Sequence, residues 1–162
     1  MHRHQRLFDF VLKKAFRRGE FVLASGAKSD FYLDCRQVLL HPSGVRLAVE
    51  ALFKTMGDQH WSLDRNIDAV GGVPMGAAPW LGAFLYASLY LRPNLNGFLT
   101  RKENKMHGVG GRIAGALCRG DLCLMLEDVT TTGESLAEAC QVVVEAGGRV
   151  MGAVCLVDRQ EG

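Results

Sequence analysis

The sequence has little net charge, no long apolar run and no paired cysteine pattern, and each of these absences excludes a class of protein. Its 19 basic and 17 acidic residues give a formal charge of +2, an excess too small to indicate a nucleic-acid partner. No stretch approaches the roughly 18 consecutive apolar residues of a transmembrane helix, so no membrane partner is expected. The five cysteines include no C-x-x-C pair and mostly lie in apolar runs, which favours buried thiols over disulfides or zinc.

The composition that remains is ordinary for a folded domain. Of the 162 residues, 48% are hydrophobic and 22% are charged, which excludes a disordered or low-complexity chain. This length suits one domain with one core, so we expect a single domain over residues 1–162. The first residues carry charges within their apolar stretch and no small-residue cleavage site, so we expect a cytoplasmic protein.

The first third of the chain predicts a helix, a hairpin and a second helix. The first helix has five apolar residues on one face and would end at Gly19; these are Phe8, Val11, Leu12, Ala15 and Phe16. β-Branched and aromatic residues on both sides of Ser25 and Gly26 predict a hairpin. Pro42 marks the start of the second helix, whose apolar residues recur at helical spacing.

Beyond residue 66, apolar runs alternate with helix-like segments. The candidate strands are the runs IDAV, GFLT, LCLML and VCLV, and the candidate helices are residues 75–90 and 134–146. This alternation predicts a doubly wound α/β fold, in which helices cover both faces of a parallel sheet. Ligands of such sheets bind at the carboxyl ends of the strands, so the residues that follow these runs are the candidate site.

The run LCLML leads through two acids into a hydroxyl-rich turn and then a helix. Unpaired N–H groups at a helix N-terminus, a glycine and several hydroxyl groups together suit a phosphate monoester. Glu127 and Asp128 precede the turn and are placed to accept hydrogen bonds from ribose hydroxyls or to orient a metal-bound substrate. The alternative is that the acids end a solvated strand and the hydroxyls only cap the helix.

The complete string resembles the phosphoribosyl pyrophosphate (PRPP) signature of the type I phosphoribosyltransferases. The resemblance implies their fold, a doubly wound, mostly parallel sheet with an N-terminal helix and hairpin as a hood and a mobile loop. It also implies that Glu127 and Asp128 bind the ribose of PRPP and that residues 131–135 form its 5-phosphate loop. The PRPP-binding residues expected in this turn are Thr130, Thr131, Thr132, Gly133, Glu134 and Ser135. The Glu134 carboxylate would repel a phosphate, so its backbone is expected to face the ligand.

A second cluster holds four cations within seven residues, followed by glycines at 108, 110 and 111. The cations are Arg101, Lys102, Lys105 and His107. Glycines permit large backbone changes, and positive charge suits a departing pyrophosphate, on which negative charge accumulates as the bond to ribose breaks. The alternative is a solvated surface loop.

The order R-K-x-x-K-x-H-G-x-G-G resembles the mobile catalytic loop of the orotate phosphoribosyltransferases. The segments SGAKSDFYLDC and LVDRQEG also resemble that family, so the resemblance spans about residues 19–162. It implies transfer of phosphoribosyl from PRPP to orotate, giving orotidine 5-monophosphate and pyrophosphate in pyrimidine biosynthesis. The implied catalytic residues are Lys102, Lys105, His107, Arg101 and Asp128.

The same resemblance implies the remaining site residues. Those expected at the orotate are Lys28, Phe31, Tyr32, Thr131 and Arg159. Those expected in the pyrophosphate loop are Gly72, Val73, Pro74, Met75 and Gly76. Many relatives have a lysine where this chain has Met75, so one cation that could contact pyrophosphate is absent.

The family further implies Mg²⁺ as cofactor and a homodimer with shared active sites. The metal is expected on the oxygens of the substrate, with no direct protein ligand, or through Asp128 by way of water. The chain ends soon after Arg159, where relatives continue, so we expect a domain that is short at its C-terminus. Two other functions stay open, transfer to a different base and a non-catalytic regulator that senses PRPP.

Overall fold

The computed structural model describes residues 4–22, 26, 28–63, 66–103 and 111–160. The elements in chain order are α1 (Gln5–Lys14), β1 (Phe16–Val22), β2 (Lys28–Leu33), α2 (Arg36–Leu39), α3 (Pro42–Asp58), β3 (Ala69–Gly72), α4 (Ala78–Ser88), β4 (Asn96–Thr100), β5 (Ile113–Gly115), β6 (Leu122–Thr130), α5 (Glu134–Glu145) and β7 (Arg149–Asp158). The predicted alternation of strands and helices is therefore confirmed.

The main sheet has five strands in the order β5-β4-β3-β6-β7. Strands β4, β3, β6 and β7 are parallel, and only the pairing of β5 with β4 is antiparallel. The three-residue strand β5 was not predicted, because a run of that length shows no periodicity. The carboxyl ends of the four parallel strands lie at one edge of the sheet, where the candidate segments meet.

Helices cover both faces of this sheet, as a doubly wound fold requires. On β6, Leu124 and Leu126 pack in a core with residues of α3 and α4, whereas Cys123 and Met125 pack in a second core with residues of α5. Side chains alternate in direction along a strand, so β6 contributes to both cores.

The N-terminal helix and hairpin form a separate layer, and here one prediction is wrong. The first helix ends at Lys14, not before Gly19, and Phe16 begins β1. Phe16 pairs with Leu33 and its ring stacks on that of Phe31, with centroids 5.6 Å apart. This strand pairing overrides the helical periodicity, because tertiary contacts outweigh the weak intrinsic preference of single residues.

The predicted burial of the first helix holds only in part. Val11 and Ala15 are buried, whereas Phe8 and Leu12 are each 45% exposed. The predicted hairpin is confirmed by the antiparallel pairing of β1 and β2. Of its turn, Gly26 is described, with φ of +83°, and Ser25 lies outside the described residues.

An ion pair fastens the strands at the sheet edge opposite the candidate site. Arg92 Nη2 lies 2.9 Å from Asp68 Oδ1, and Asp68 Oδ2 accepts a 3.0 Å hydrogen bond from the N–H of Leu122. Asp68 precedes β3 and Leu122 begins β6, so the pair sets where these two strands start. None of the described helices is long and apolar enough to cross a membrane.

Candidate active site

The two acids lie inside β6, and the strand therefore directs their side chains to opposite faces of the sheet. Glu127 is on the α5 face and is only 5% exposed. Within the described part of the chain its Oε2 has no hydrogen-bond partner. Burial, with a smaller contribution from Asp128, raises the pKa of Glu127 to about 7. Burial therefore favours the protonated form of the Glu127 carboxyl group.

Asp128 lies on the other face and contacts the predicted pyrophosphate loop. A Cβ atom added to Gly76 would lie 2.0 Å from both Cγ and Oδ1 of Asp128. The carboxylate therefore lies directly on the backbone of this loop, and only glycine leaves it room. Burial is the main cause that raises the pKa of Asp128, and the Arg36 guanidinium opposes it.

The turn between β6 and α5 has the local geometry of an anion site. Gly133 is the N-cap of α5 with φ of +81°, a left-handed conformation that glycine adopts without steric cost. The N–H of Glu134 points back to Thr132 Oγ1 at 3.4 Å, and the Glu134 side chain is exposed. Thr131, Thr132 and Ser135 are exposed as well, so three hydroxyl-bearing residues face solvent at the N-terminus of α5.

The loop predicted to hold pyrophosphate, residues 72–76, starts where β3 ends. The N–H of Val73 donates to the carbonyl of Leu126 at 3.0 Å, which fixes the loop against β6. The Pro74–Met75 peptide bond is cis, and Met75 is 79% exposed. Met75 therefore offers an apolar side chain at the mouth of the site.

Part of the cation cluster meets this loop and helix α5. Arg101 and Lys102 follow β4 directly and line a small cavity of about 30 Å³ together with Pro74 of the pyrophosphate loop and Ser135 of α5. Three segments predicted separately from the sequence thus converge. Lys105 and His107 lie outside the described residues.

The residues predicted for the base are only partly brought together. Arg159 Cζ lies 4.4 Å from the centroid of the Phe31 ring, and the N–H of Arg159 donates to the carbonyl of Thr130 at 3.0 Å. Phe31 and Arg159 line an apolar groove of about 500 Å³. Tyr32 alternates to the other face of β2, where its ring lies 5.5 Å from that of Phe21. Lys28 lines a different groove, beside Phe21 and Asp30.

Arg36 is a cation of this site that the sequence interpretation missed. Its Nε lies 2.8 Å from Asp34 Oδ1, it interacts with Tyr32, and it lowers the pKa of the nearby Asp128. Its hydrogen bond is also the main cause of the lowered pKa of Asp34. The signal in the sequence was the D-x-R spacing after the second hairpin strand, but α2 has only four residues and shows no helical period.

The donor set at the site suits a metal carried by the substrate better than a resident one. Among the described residues, no three His, Cys, Asp or Glu side chains lie close enough together to hold a metal ion. Asp128 presents a carboxylate against Gly76 of the predicted pyrophosphate loop. One carboxylate with substrate oxygens is a common arrangement for Mg²⁺.

Comparison with known proteins places this geometry in a family. No family model matches the chain. The chain is 38% identical over 161 residues to an orotate phosphoribosyltransferase of Rhodopseudomonas palustris (strain TIE-1), a match that covers 97% of this chain and 83% of the relative. The crystal structure of Mycobacterium tuberculosis orotate phosphoribosyltransferase in complex with Fe(III) dicitrate superposes with a TM-score of 0.79 at 30% identity, covering 98% of this chain and 86% of that one.

The same Mycobacterium tuberculosis enzyme has been solved in complex with PRPP. That structure gives a TM-score of 0.75 at 27% identity and covers 98% of this chain and 85% of that one. The chain is thus more than 30% identical to a named family member over nearly its full length, and it shares the fold of solved members. The chain belongs to the orotate phosphoribosyltransferase family.

Proposed function

We propose that this chain transfers the phosphoribosyl group of PRPP to orotate, giving orotidine 5-monophosphate and pyrophosphate. The observation that carries the proposal is the convergence at one sheet edge of the α5 N-terminus, the pyrophosphate loop after β3 and the cations after β4. The first of these features matches the 5-phosphate of PRPP and the other two match its pyrophosphate, while Asp128, which lies against Gly76, matches the ribose between them. Family membership supports the same reaction.

The ribose 5-phosphate half of PRPP is bound at β6 and α5. The N–H groups and hydroxyls of residues 130–135 hold the 5-phosphate, with the Glu134 side chain turned to solvent. Asp128 accepts hydrogen bonds from the ribose hydroxyls, while Glu127, the second acid of the predicted ribose pair, is buried on the α5 face. Since C1 of the ribose develops oxocarbenium character, holding both partners in line is the main catalytic task, and no covalent nucleophile is needed.

The pyrophosphate half lies between residues 72–76 and the cation cluster. The N–H of Val73 already donates to the carbonyl of Leu126, so Gly72 and Gly76 are the proposed backbone donors, while Pro74 has no N–H and Met75 carries no charge. Arg101, Lys102 and Lys105 balance the charge that accumulates on the leaving group, and His107 orders the bound state or donates a proton. Asp128 would hold Mg²⁺ by way of water, and the metal, when bound to the oxygens of PRPP, would supply further positive charge.

Orotate is recognised at the base side of the site. Arg159 already stacks over Phe31, which orients its guanidinium, and a planar guanidinium pairs well with a carboxylate such as that of orotate. Thr131 follows Thr130, whose carbonyl accepts from the Arg159 N–H. Lys28 and Tyr32 belong to the predicted set but lie apart from the pair of Arg159 and Phe31. This arrangement favours orotate over purines, because a neutral base has no carboxylate to pair with Arg159.

Turnover of orotate tests the proposal directly. Purified protein with Mg²⁺, PRPP and orotate should consume orotate, as followed by loss of its absorbance, and omission of any component should abolish the change. Lys102→Ala should lower the rate strongly. Consumption of another base in a panel, with orotate inert, would replace the substrate, and saturable PRPP binding with no consumption of any base would point to a PRPP-sensing regulator.

We further infer a cytoplasmic homodimer in which the loop of one subunit completes the site of its partner. If so, an inactive Lys102→Ala subunit and an inactive Asp128→Asn subunit should restore activity when mixed, because some heterodimers then hold one intact site. Heterodimers that form, as shown by mass spectrometry, but remain inactive would contradict shared sites.

A further inference from the structure

Arg112 lies directly before β5 and connects two parts of the site without being one of its predicted residues. Its side chain is only 23% exposed. Nε donates to the carbonyl of Arg101 at 3.0 Å, Nη2 lies 2.6 Å from Glu138 Oε1, and Nη1 lies 3.7 Å from Glu145 Oε2. A single guanidinium therefore joins the end of β4 to helix α5.

The backbone of Arg112 holds the same partner. The N–H of Arg101 donates to the carbonyl of Arg112 at 2.7 Å, which continues the pairing of Thr100 with Ile113 by one more residue. Arg101 thus has its N–H and its carbonyl both bonded to Arg112. Since Lys102 follows immediately, the position of both cations depends on this one residue.

The other end of the connection is the phosphate-binding helix. Glu138 lies on α5 one turn after Ser135, and α5 begins at the Gly133 cap. Arg112, Lys102, Ser135 and Glu138 line one small cavity. The contact with Glu138 therefore relates the cations after β4 to the helix end that faces the 5-phosphate.

We propose that Arg112 is a positioning residue, which sets the separation between the pyrophosphate-binding cations and the 5-phosphate site through Arg101 and Glu138. This inference rests on the proposed function. Lysine cannot replace arginine here, because a single ammonium group does not reach a carbonyl and two carboxylates on separate nitrogens. Glu138 and Glu145 are 47% and 53% exposed, and such exposed ion pairs contribute little to folding stability. The main effect of losing Arg112 is therefore expected on catalysis, with a smaller loss of stability from the hydrogen bond to the Arg101 carbonyl.

Steady-state kinetics of Arg112→Ala and Arg112→Lys test the proposal. Both should lower kcat roughly 10- to 100-fold, the loss typical of misplaced groups, while KM for orotate changes less than about twofold. The matched control is Arg46→Ala, which removes the Arg–Glu pair between Arg46 and Glu50 on α3, far along the chain from the site, and should leave kcat unchanged. Equal kcat values for wild type and Arg112→Ala would overturn the proposal.

A double-mutant cycle separates positioning from general weakening. If Arg112 acts through the adjacent cations, Arg112→Ala should cost almost nothing in a Lys102→Ala background, because the group it places is already gone. The reversed pair Arg112→Glu with Glu138→Arg should recover part of kcat compared with Arg112→Glu alone. A positioning role would be contradicted if the losses in kcat of the two single variants added fully in the double variant. It would also be contradicted if the loss in kcat followed the loss in Tm across all variants.

Binding of Mg²⁺-pyrophosphate gives a readout that does not need turnover. If the wild type consumes no orotate, the proposed reaction fails, and calorimetry then decides the role of Arg112 by itself. Weaker pyrophosphate binding in Arg112→Ala, with ribose 5-phosphate binding unchanged, supports the proposal. Unchanged binding of both overturns it.

Discussion

Replacing Gly76 with alanine is expected to displace the Asp128 carboxylate and to reduce kcat/KM about 100-fold. The added methyl carbon would lie 2.0 Å from Asp128 Cγ, whereas ordinary contact begins near 3.4 Å, so the carboxylate must move by about 1.4 Å. A displacement of roughly 1 Å at a positioning group costs about 100-fold in rate, or about 2.7 kcal/mol of transition-state stabilisation.

The loss of stability should be smaller than the kinetic loss. The atoms that collide belong to the end of a rotatable side chain, so Asp128 can turn to a poorer rotamer at a cost of about 1 kcal/mol. Steady-state kinetics with PRPP and orotate, together with Tm from thermal denaturation, would separate the two effects. For both proteins the rate should be measured over a range of PRPP and orotate concentrations.

A neighbouring glycine provides the control. A Cβ added to Gly82 of α4 meets nothing within 4 Å, and glycine to alanine in a helix interior stabilises by about 1 kcal/mol. Gly82→Ala should therefore keep wild-type kcat/KM and raise Tm slightly. If folded Gly76→Ala kept a kcat/KM within about twofold of wild type, the Asp128 carboxylate would not need its position against Gly76 for catalysis, and the prediction would be refuted.

Three further predictions concern the pH dependence of stability, the sheet edge and the base site. Burial raises the pKa of Glu127 to about 7, so the free energy of unfolding should fall as the pH rises from the unfolded-state pKa of this group towards 7, and it should stay low above that pH. Glu127→Gln should lack this fall when Tm is measured against pH, and identical Tm profiles for the two proteins would contradict the prediction. Asp68→Asn should lower the free energy of unfolding by about 1 kcal/mol, because it weakens the contacts to Arg92 and Leu122; urea denaturation measures this, and kcat should not change. Arg159→Ala should raise KM for orotate by about 10-fold or more, since charge-assisted hydrogen bonds are worth about 1.5–3 kcal/mol, with KM for PRPP unchanged. The control is Arg149→Ala, at the start of the strand β7 that Arg159 follows, and equal effects on both KM values would argue against Arg159 as the base-contacting residue.

The sequence predicted the layered α/β fold because its strongest signals are local. Buried parallel strands are continuously apolar, helices show their period, and the phosphate turn is contiguous from Glu127 to Ser135, so each could be recognised within a short window. The end of the first helix could not be recognised in this way, because Phe16 fits the helical period and a strand equally well. Its pairing with Leu33 in the hairpin decided between them.

Within the site, the sequence by itself determined which residue types were present and in what order. Only the tertiary structure decided which of them share a face. Glu127 and Asp128 are adjacent in sequence but separated by the sheet, and Phe31 meets Arg159 while Tyr32 turns towards Phe21. The contacts of Asp128 with Gly76 and of Arg112 with Glu138 join residues far apart along the chain. Such contacts follow from strand register and from how α5 packs on the sheet, and no short sequence window contains that information.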